Sequence, residues 1–226
     1  MPKAYSNKNL VFDTSSIISI SMNSLLNILG LLKKKFRGEF LISKKVKEEL
    51  VNRPMKGKKF KLEALQILKE INSDVLKIYG GNLRNKSLEV LKVANRVFRA
   101  DDYIKILDLA EVESLVIANE LNGTYVVDER TMRMLVEDVR GLKRLLEKKL
   151  KRRVLVNENN LKLFREKIKD IKIIRSVELG YVAYSLGLLK ELDGRYKKEL
   201  LDGLLWGLKL RGCAISSEEI RKIEAL

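Results

Sequence analysis

Short apolar runs recur along the first two thirds of the chain: LVF at 10–12, FLI at 40–42, the DVLKIY segment at 74–79, TYVV at 124–127 and VLV at 154–156. Runs of this length, closed by Asp13, by Ser43 or by glycine turns such as Gly80-Gly81, read as buried strands. Between them the apolar spacing lengthens to three and four residues, the rhythm of helices with one buried face. An apolar helical stretch follows the first strand through LLNILGLL to Leu32, and Ser43 is placed to cap a helix over 44–52. Leu62, Leu65, Leu68 and Ile71 mark a helix over 60–72, and others are expected over 87–99, over 105–121 and on to about 150. Strands alternating with helices predict an α/β fold: a central parallel sheet of about five strands flanked by helices. Beyond 156 the strand signals stop, and helices are expected over 158–169, 176–189, 195–210 and 217–226, the last opened by Ser216 or Ser217. The expected organisation is therefore an α/β domain over 1–156 and an α-helical C-terminal extension over 157–226 packed on it.

Composition narrows the chemistry. Across 226 residues the formal net charge is +16, with 34% charged and 46% hydrophobic residues, so a proper core coexists with a surface that attracts polyanions. Histidine is absent and Cys213 is the one cysteine. That excludes Ser-His-Asp and Cys-His catalysis, imidazole zinc sites and disulfides within one chain. What remains for metal chemistry is carboxylate oxygen, which suits Mg²⁺ or Mn²⁺. No stretch has the apolar length of a membrane span, and MPKAYSNKNLVF lacks the apolar centre of a signal peptide. A cytoplasmic protein without membrane association is expected.

Against this basic background four acidic clusters stand out: Asp13 in VFDTSS, Glu49 in VKEELVNR, Glu111 and Glu113 in LAEVESLVIA, and Asp128-Glu129 in VVDERTM. In an open parallel sheet ligands bind beyond the carboxyl ends of the strands. Asp13 ends the first strand and Asp128 the fourth, so membership in one sheet brings them to a shared edge. Glu111 and Glu113 lie near the start of a helix that opens onto that edge. Glu49 lies six residues into its own helix, about 9 Å along the axis at about 1.5 Å per residue. Each residue also has a structural reading: Asp13 and Asp128-Glu129 as helix caps, Glu49 as a surface ion-pair partner, Glu111 and Glu113 as favourable charges at a helix start. Gathered together, the carboxylates would repel one another, and a divalent cation would relieve that repulsion.

These residues resemble the motifs of the PIN-domain ribonucleases. VFDTSSII is similar to that family's opening strand, VKEEL to its second motif with Glu49 before the leucine, and AEVESLVIA to the third, with Glu111 seven positions before Ala118. VVDERTMR resembles the last, where Asp128 or Glu129 takes the metal-proximal position. Motif order and spacing hold over about 10–156, while the third position carries Glu where many members have Asp. The resemblance implies a Mg²⁺- or Mn²⁺-dependent endoribonuclease that leaves a 5′-phosphate and a 3′-hydroxyl. Asp13, Glu49, Glu111 and Asp128 would hold the ion or ions, with Glu129 as the alternate fourth ligand. Thr14 or Ser15 would hydrogen-bond a ligand carboxylate, water or phosphate. It further implies a possible homodimer and a possible antitoxin-like or RNA-processing protein partner. The rival expectation is a catalytically silent PIN-like RNA-binding or scaffold protein.

RNA contacts are expected from the basic clusters Lys33–Arg37, Lys56–Lys61 and Lys143–Arg153, with Lys58, Lys59 and Arg130 as the candidate substrate-binding cations. Phe36, Phe60 and Tyr103 are candidates to stack on unpaired bases.

Overall fold

Leu10, Val11 and Phe12 have no polar face, and strand β1 (Leu10–Phe12) accordingly lies at the centre of a sheet, buried on both sides. A computed structural model describes residues 9–189 and 196–225. Residues 1–8, read above for the missing signal-like centre, and residues 195 and 226 of two expected helices lie outside the described residues. The other strands are β2 (Phe40–Ile42), β3 (Lys77–Ile78), β4 (Phe98–Arg99), β5 (Thr124–Val126), β6 (Leu155–Val156) and β7 (Lys172–Ile174). Five of them form one parallel sheet in the order β3-β2-β1-β5-β7, and β4 pairs with β6 antiparallel in a separate ribbon.

The expected parallel α/β sheet of five strands is present, with one member exchanged. Residues 154–156 were expected to supply the fifth strand, but Leu155 and Val156 pair with Arg99 and Phe98 instead. The fifth strand is β7, drawn from the region expected to begin the helical extension. Its signal is weak because it is a short, half-exposed edge strand opening on a lysine, as edge strands often are. The expected helix over 87–99 likewise stops early, so that Phe98 and Arg99 can join the ribbon.

Helices cover both faces. On one side α1 (Thr14–Met22), α2 (Leu26–Lys35), α5 (Lys61–Asn72), α11 (Ser176–Ser185), α12 (Lys197–Leu210) and α13 (Ser217–Glu224) pack around Leu10, Phe12 and Val126. On the other, α6 (Arg84–Ala94), α7 (Leu109–Glu120), α8 (Arg130–Glu137), α9 (Val139–Leu150) and α10 (Glu158–Lys167) enclose Val11, Tyr125 and Val127. The alternation of β1 and β5 side chains between two cores fixes their register, since a one-residue slip would exchange the faces. The stretch expected as one helix to Leu32 is two, α1 and α2, bent by 113° around Ser24, which has φ 58°. Among the described residues no single helix is long and apolar enough to cross a membrane.

Ser43 caps α3 (Lys44–Lys47) as expected, its hydroxyl accepting from the Val46 amide at 3.1 Å. The helix then widens into a π turn over Glu48–Asn52 and closes as α4 (Arg53–Met55). At the amino edge Gly123 meets the carbonyl oxygen of Asn9, where a Cβ would stand 2.7 Å away. Only glycine allows β5 to approach β1 that closely after the Asn122 turn.

Candidate active site

The strand order reverses direction between β1 and β5, and the residues that follow these two strands meet at the carboxyl edge. Asp13 caps α1 there. Its Oδ2 accepts from the Ser15 amide at 3.0 Å and from the Ser15 hydroxyl at 2.6 Å. The same hydroxyl accepts from the Asp128 amide at 3.1 Å, so Ser15 joins the ends of the two strands. Ser16 adds a second link, donating to the carbonyl oxygens of Asp13 and Val126. The other carboxylate oxygen, Oδ1, is buried with no hydrogen-bond partner. Burial pushes the Asp13 carboxyl above its ordinary range, the Ser15 and Thr14 contacts oppose that shift, and the charge of Glu49 adds to it. An orphaned carboxylate oxygen is costly in a protein interior and marks a place for a cation, a proton or a water.

Glu49 comes to this edge through the π turn, and Thr14 Oγ1 donates to its Oε2 at 2.8 Å. Glu111 belongs to the first turn of α7, where its Oε2 accepts from the Asp108 amide at 2.7 Å in a capping box. Its carboxyl is pushed up to about 8, chiefly by desolvation, with the Asp108 amide opposing and the negative charges of Asp13 and Glu129 contributing to the rise. Tyr125, buried between Asp13 and Glu111, directs its proton to the main-chain oxygen of Glu111 at 3.2 Å. Glu129 caps α8, its Oε2 accepting from the Met132 amide at 2.8 Å. Glu49 thus acts electrostatically on Asp13, and Asp13 and Glu129 on Glu111, a chain of repulsions across the switch point.

Asp128 is placed differently. It is fully buried, and both its oxygens are taken by Ser176: Oδ1 by the amide at 2.7 Å and Oδ2 by the hydroxyl at 2.6 Å. As placed it ties β5 to the start of α11 with both oxygens occupied, and Glu129 is the acid of this motif whose charge acts on Glu111. Nothing near Asp128 in sequence announces this, because its partner lies 48 residues on.

The basic residues scatter. Lys58 and Lys59 sit in an exposed turn before α5, with the Lys59 ammonium 4.8 Å from the ring centre of Phe60. Arg130 begins α8 and borders a cleft shared with Arg133 and Arg144. Tyr103 lies under Arg96 and Arg99, and Phe36 packs against Phe40 in the core. A second cleft, of about 440 Å³, opens beyond β2 and β3 and is bordered by Lys44, Lys45, Arg53, Tyr79 and Arg84. Sequence patterning does not mark this cleft, because Lys44, Lys45 and Arg53 lie within an ordinary-looking helical stretch rather than in a basic run.

Four carboxylates, one with a bare buried oxygen and one whose carboxyl burial raises to about 8, suit a divalent cation better than a proton-only network. Among the described residues, however, no three acidic side chains are gathered closely enough to hold one ion as they stand. Neither curated proteins nor solved structures gave a match to the chain. A family model for the PIN domain matches residues 9–166, spanning β1 to α10 and every acidic motif at the edge. Most of the length is covered, from the strand that carries Asp13 through the helix that carries Glu129, and the chain belongs to the PIN-domain family.

Proposed function

We propose that the protein is a metal-dependent endoribonuclease that hydrolyses RNA phosphodiester bonds at this carboxylate group. Membership brings a nuclease-like fold, and PIN domains are generally nucleases that use divalent metals. The observation that carries the reading is the unpartnered, buried Oδ1 of Asp13, set among three further carboxylates at the strand switch point. Asp13, Glu49, Glu111 and Glu129 would hold Mg²⁺ or Mn²⁺. When bound, such an ion neutralises the cluster and stabilises negative charge developing on a phosphate.

The chain's own residues prepare the site. Ser15 fixes the Asp13 rotamer, and Thr14 fixes Glu49. With its carboxyl raised to about 8, Glu111 favours the protonated form near neutral pH, and it would give up that proton in holding a cation. In the reaction, water's oxygen joins phosphorus, the bond from phosphorus to the 3′ oxygen breaks, and a proton passes to that oxygen. The products carry a 5′-phosphate and a 3′-hydroxyl. Asp128 serves as the structural tie that holds α11 against β5, supported by its two bonds to Ser176.

A catalytically silent RNA-binding protein is the second reading, favoured by the spacing that keeps three carboxylates from meeting on one ion. Incubating a mixed single-stranded RNA pool with Mn²⁺, Mg²⁺ or EDTA separates the two. Cleavage with either ion, abolished by EDTA and by Glu111→Gln, is expected. RNA bound at low salt but left intact under every condition would favour the silent reading.

A further inference from the structure

Glu48 and Arg53 border the same cleft because of the π turn between them. Five residues of α-helix turn through 500°, leaving such a pair roughly 140° apart at 3.6 residues per turn. Here the Arg53 amide donates to the Glu48 carbonyl oxygen, an i to i+5 bond that winds the chain more slowly and returns Arg53 to the face of Glu48. The widened turn therefore has two effects: it directs Glu49 toward Thr14, and it places Arg53 at the cleft mouth.

Four cations border this cleft: Lys44, Lys45, Arg53 and Arg84. Among the described residues none of the four forms an ion pair, unlike Lys33, Lys77, Lys86, Arg133 and Arg175 elsewhere. Two carboxylates, Glu48 and Glu113, also border it. Ser43 and Tyr79 border the cleft immediately after the parallel strands β2 and β3, as Asp13 follows β1, so the cleft opens at the same carboxyl edge of the sheet as Asp13. The ring of Tyr79 lies directly over Gly81, where a Cβ would stand 2.5 Å from the ring edge. Gly81 is thus what lets the tyrosine ring come this close to the chain at the cleft.

We infer that this cleft is the path of a single RNA strand leading to the carboxylates, with Arg53, Arg84, Lys44 and Lys45 on its phosphates and Tyr79 under one unstacked base. The inference rests on the nuclease reading for the identity of the polymer. Unpaired cations supply affinity for phosphate whatever the sequence. Tyr79 is half-buried against the core, and the part of its ring that borders the cleft accepts a base face, which a duplex keeps stacked inside.

Fluorescence anisotropy with a labelled single-stranded RNA and its duplex, over a range of salt, tests this in the full chain. The comparison is wild type, Arg53→Ala/Arg84→Ala, Tyr79→Leu, and a charge-matched control, Lys169→Ala/Lys172→Ala, two exposed lysines at β7, the edge strand farthest in the sheet from β3. The arginine pair is expected to weaken single-strand binding at least tenfold at low salt. It should also flatten the slope of log affinity against log salt by about 1.4, at about 0.7 per single-strand phosphate contact. Tyr79→Leu should reduce the preference for single strand over duplex while keeping the wild-type slope. An arginine pair no different from the control would overturn the inference, as would a wild type that prefers duplex. Cleavage is scored separately. Cleft-dependent binding without cleavage would sink the nuclease reading and keep the cleft, whereas cleavage undiminished in the arginine pair would sink the cleft alone.

Discussion

Asp13 and Asp128 end neighbouring strands and are both buried, and their hydrogen bonds separate their roles. Asp13 keeps one oxygen bare, while Asp128 has both taken by Ser176. Losing charge at Asp128 therefore weakens a buried tie, and losing it at Glu129 leaves the fold intact, because a Gln side-chain oxygen can still cap α8. Asp128→Asn is expected to lower stability by about 1–3 kcal/mol, with cleavage within a few-fold of wild type below its melting temperature. Glu129→Gln should melt like wild type and lose about 100-fold or more in cleavage rate, a loss of about 2.7 kcal/mol in transition-state stabilisation. Thermal melts and single-turnover cleavage on both variants check the assignment, and the opposite pattern would return Asp128 to the metal. Glu111 supplies a pH dependence. Its carboxyl is raised from 4.5 to about 8 in the folded protein, so it favours folding most below pH 4.5 and that advantage is lost as pH rises through 8. In EDTA, melting temperatures of wild type should fall between pH 5 and 8 more steeply than those of Glu111→Gln.

At the scale of elements, local sequence carried much of the arrangement. The LVFD run, the Ser43 cap and the Asn122-Gly123 turn each mark an element through chemistry a few residues long, and the structure has a strand or helix start at each. What stayed illegible depends on partners far away. Lys172–Ile174 becomes a strand because β5 offers an open edge, and Asp128 becomes a tie because α11 arrives beside it. The π turn is invisible in the apolar spacing, since Leu50 and Val51 are buried in a helix of either kind. The C-terminal helices are joined by Arg175. Its guanidinium bonds Glu178 and Glu219 and donates to the Ala214 carbonyl oxygen at 3.1 Å, linking α11 to α13. Arg175→Met should cost about 2 kcal/mol in urea unfolding, because a half-buried charged network loses its shared donor. Glu219 is desolvated in part, yet the Ser216 amide and Arg175 hold its carboxyl down to about 2. Its contribution is present above pH 4.5 and lost as pH falls toward 2, so Arg175→Met should unfold with a weaker acid dependence than wild type between those values.

For the molecule as a whole, the C-terminal part completes the sheet and the site's support. Strand β7, Ser176 and the Arg133 bond to Ala214 at 2.7 Å all lie past residue 156 or reach beyond it. A chain ending at Val156 would expose one side of β5 and leave the Asp128 carboxylate buried without its donors. It is expected to lose the fixed tertiary packing that near-ultraviolet circular dichroism reports, while the full chain keeps it. Under the proposed function the +16 charge would draw RNA to the surface, and the acidic edge would decide what happens once a strand arrives. That division of labour hangs on whether the carboxylates take up a cation at Asp13. Calorimetric titration of Mn²⁺ into wild type and Asp13→Asn at pH 7, in buffers of different ionisation heat, measures this directly. Wild type should bind Mn²⁺ with release of about one proton, and Asp13→Asn should bind at least about tenfold more weakly. Equal affinity in the two proteins, or uptake by neither, would contradict the account.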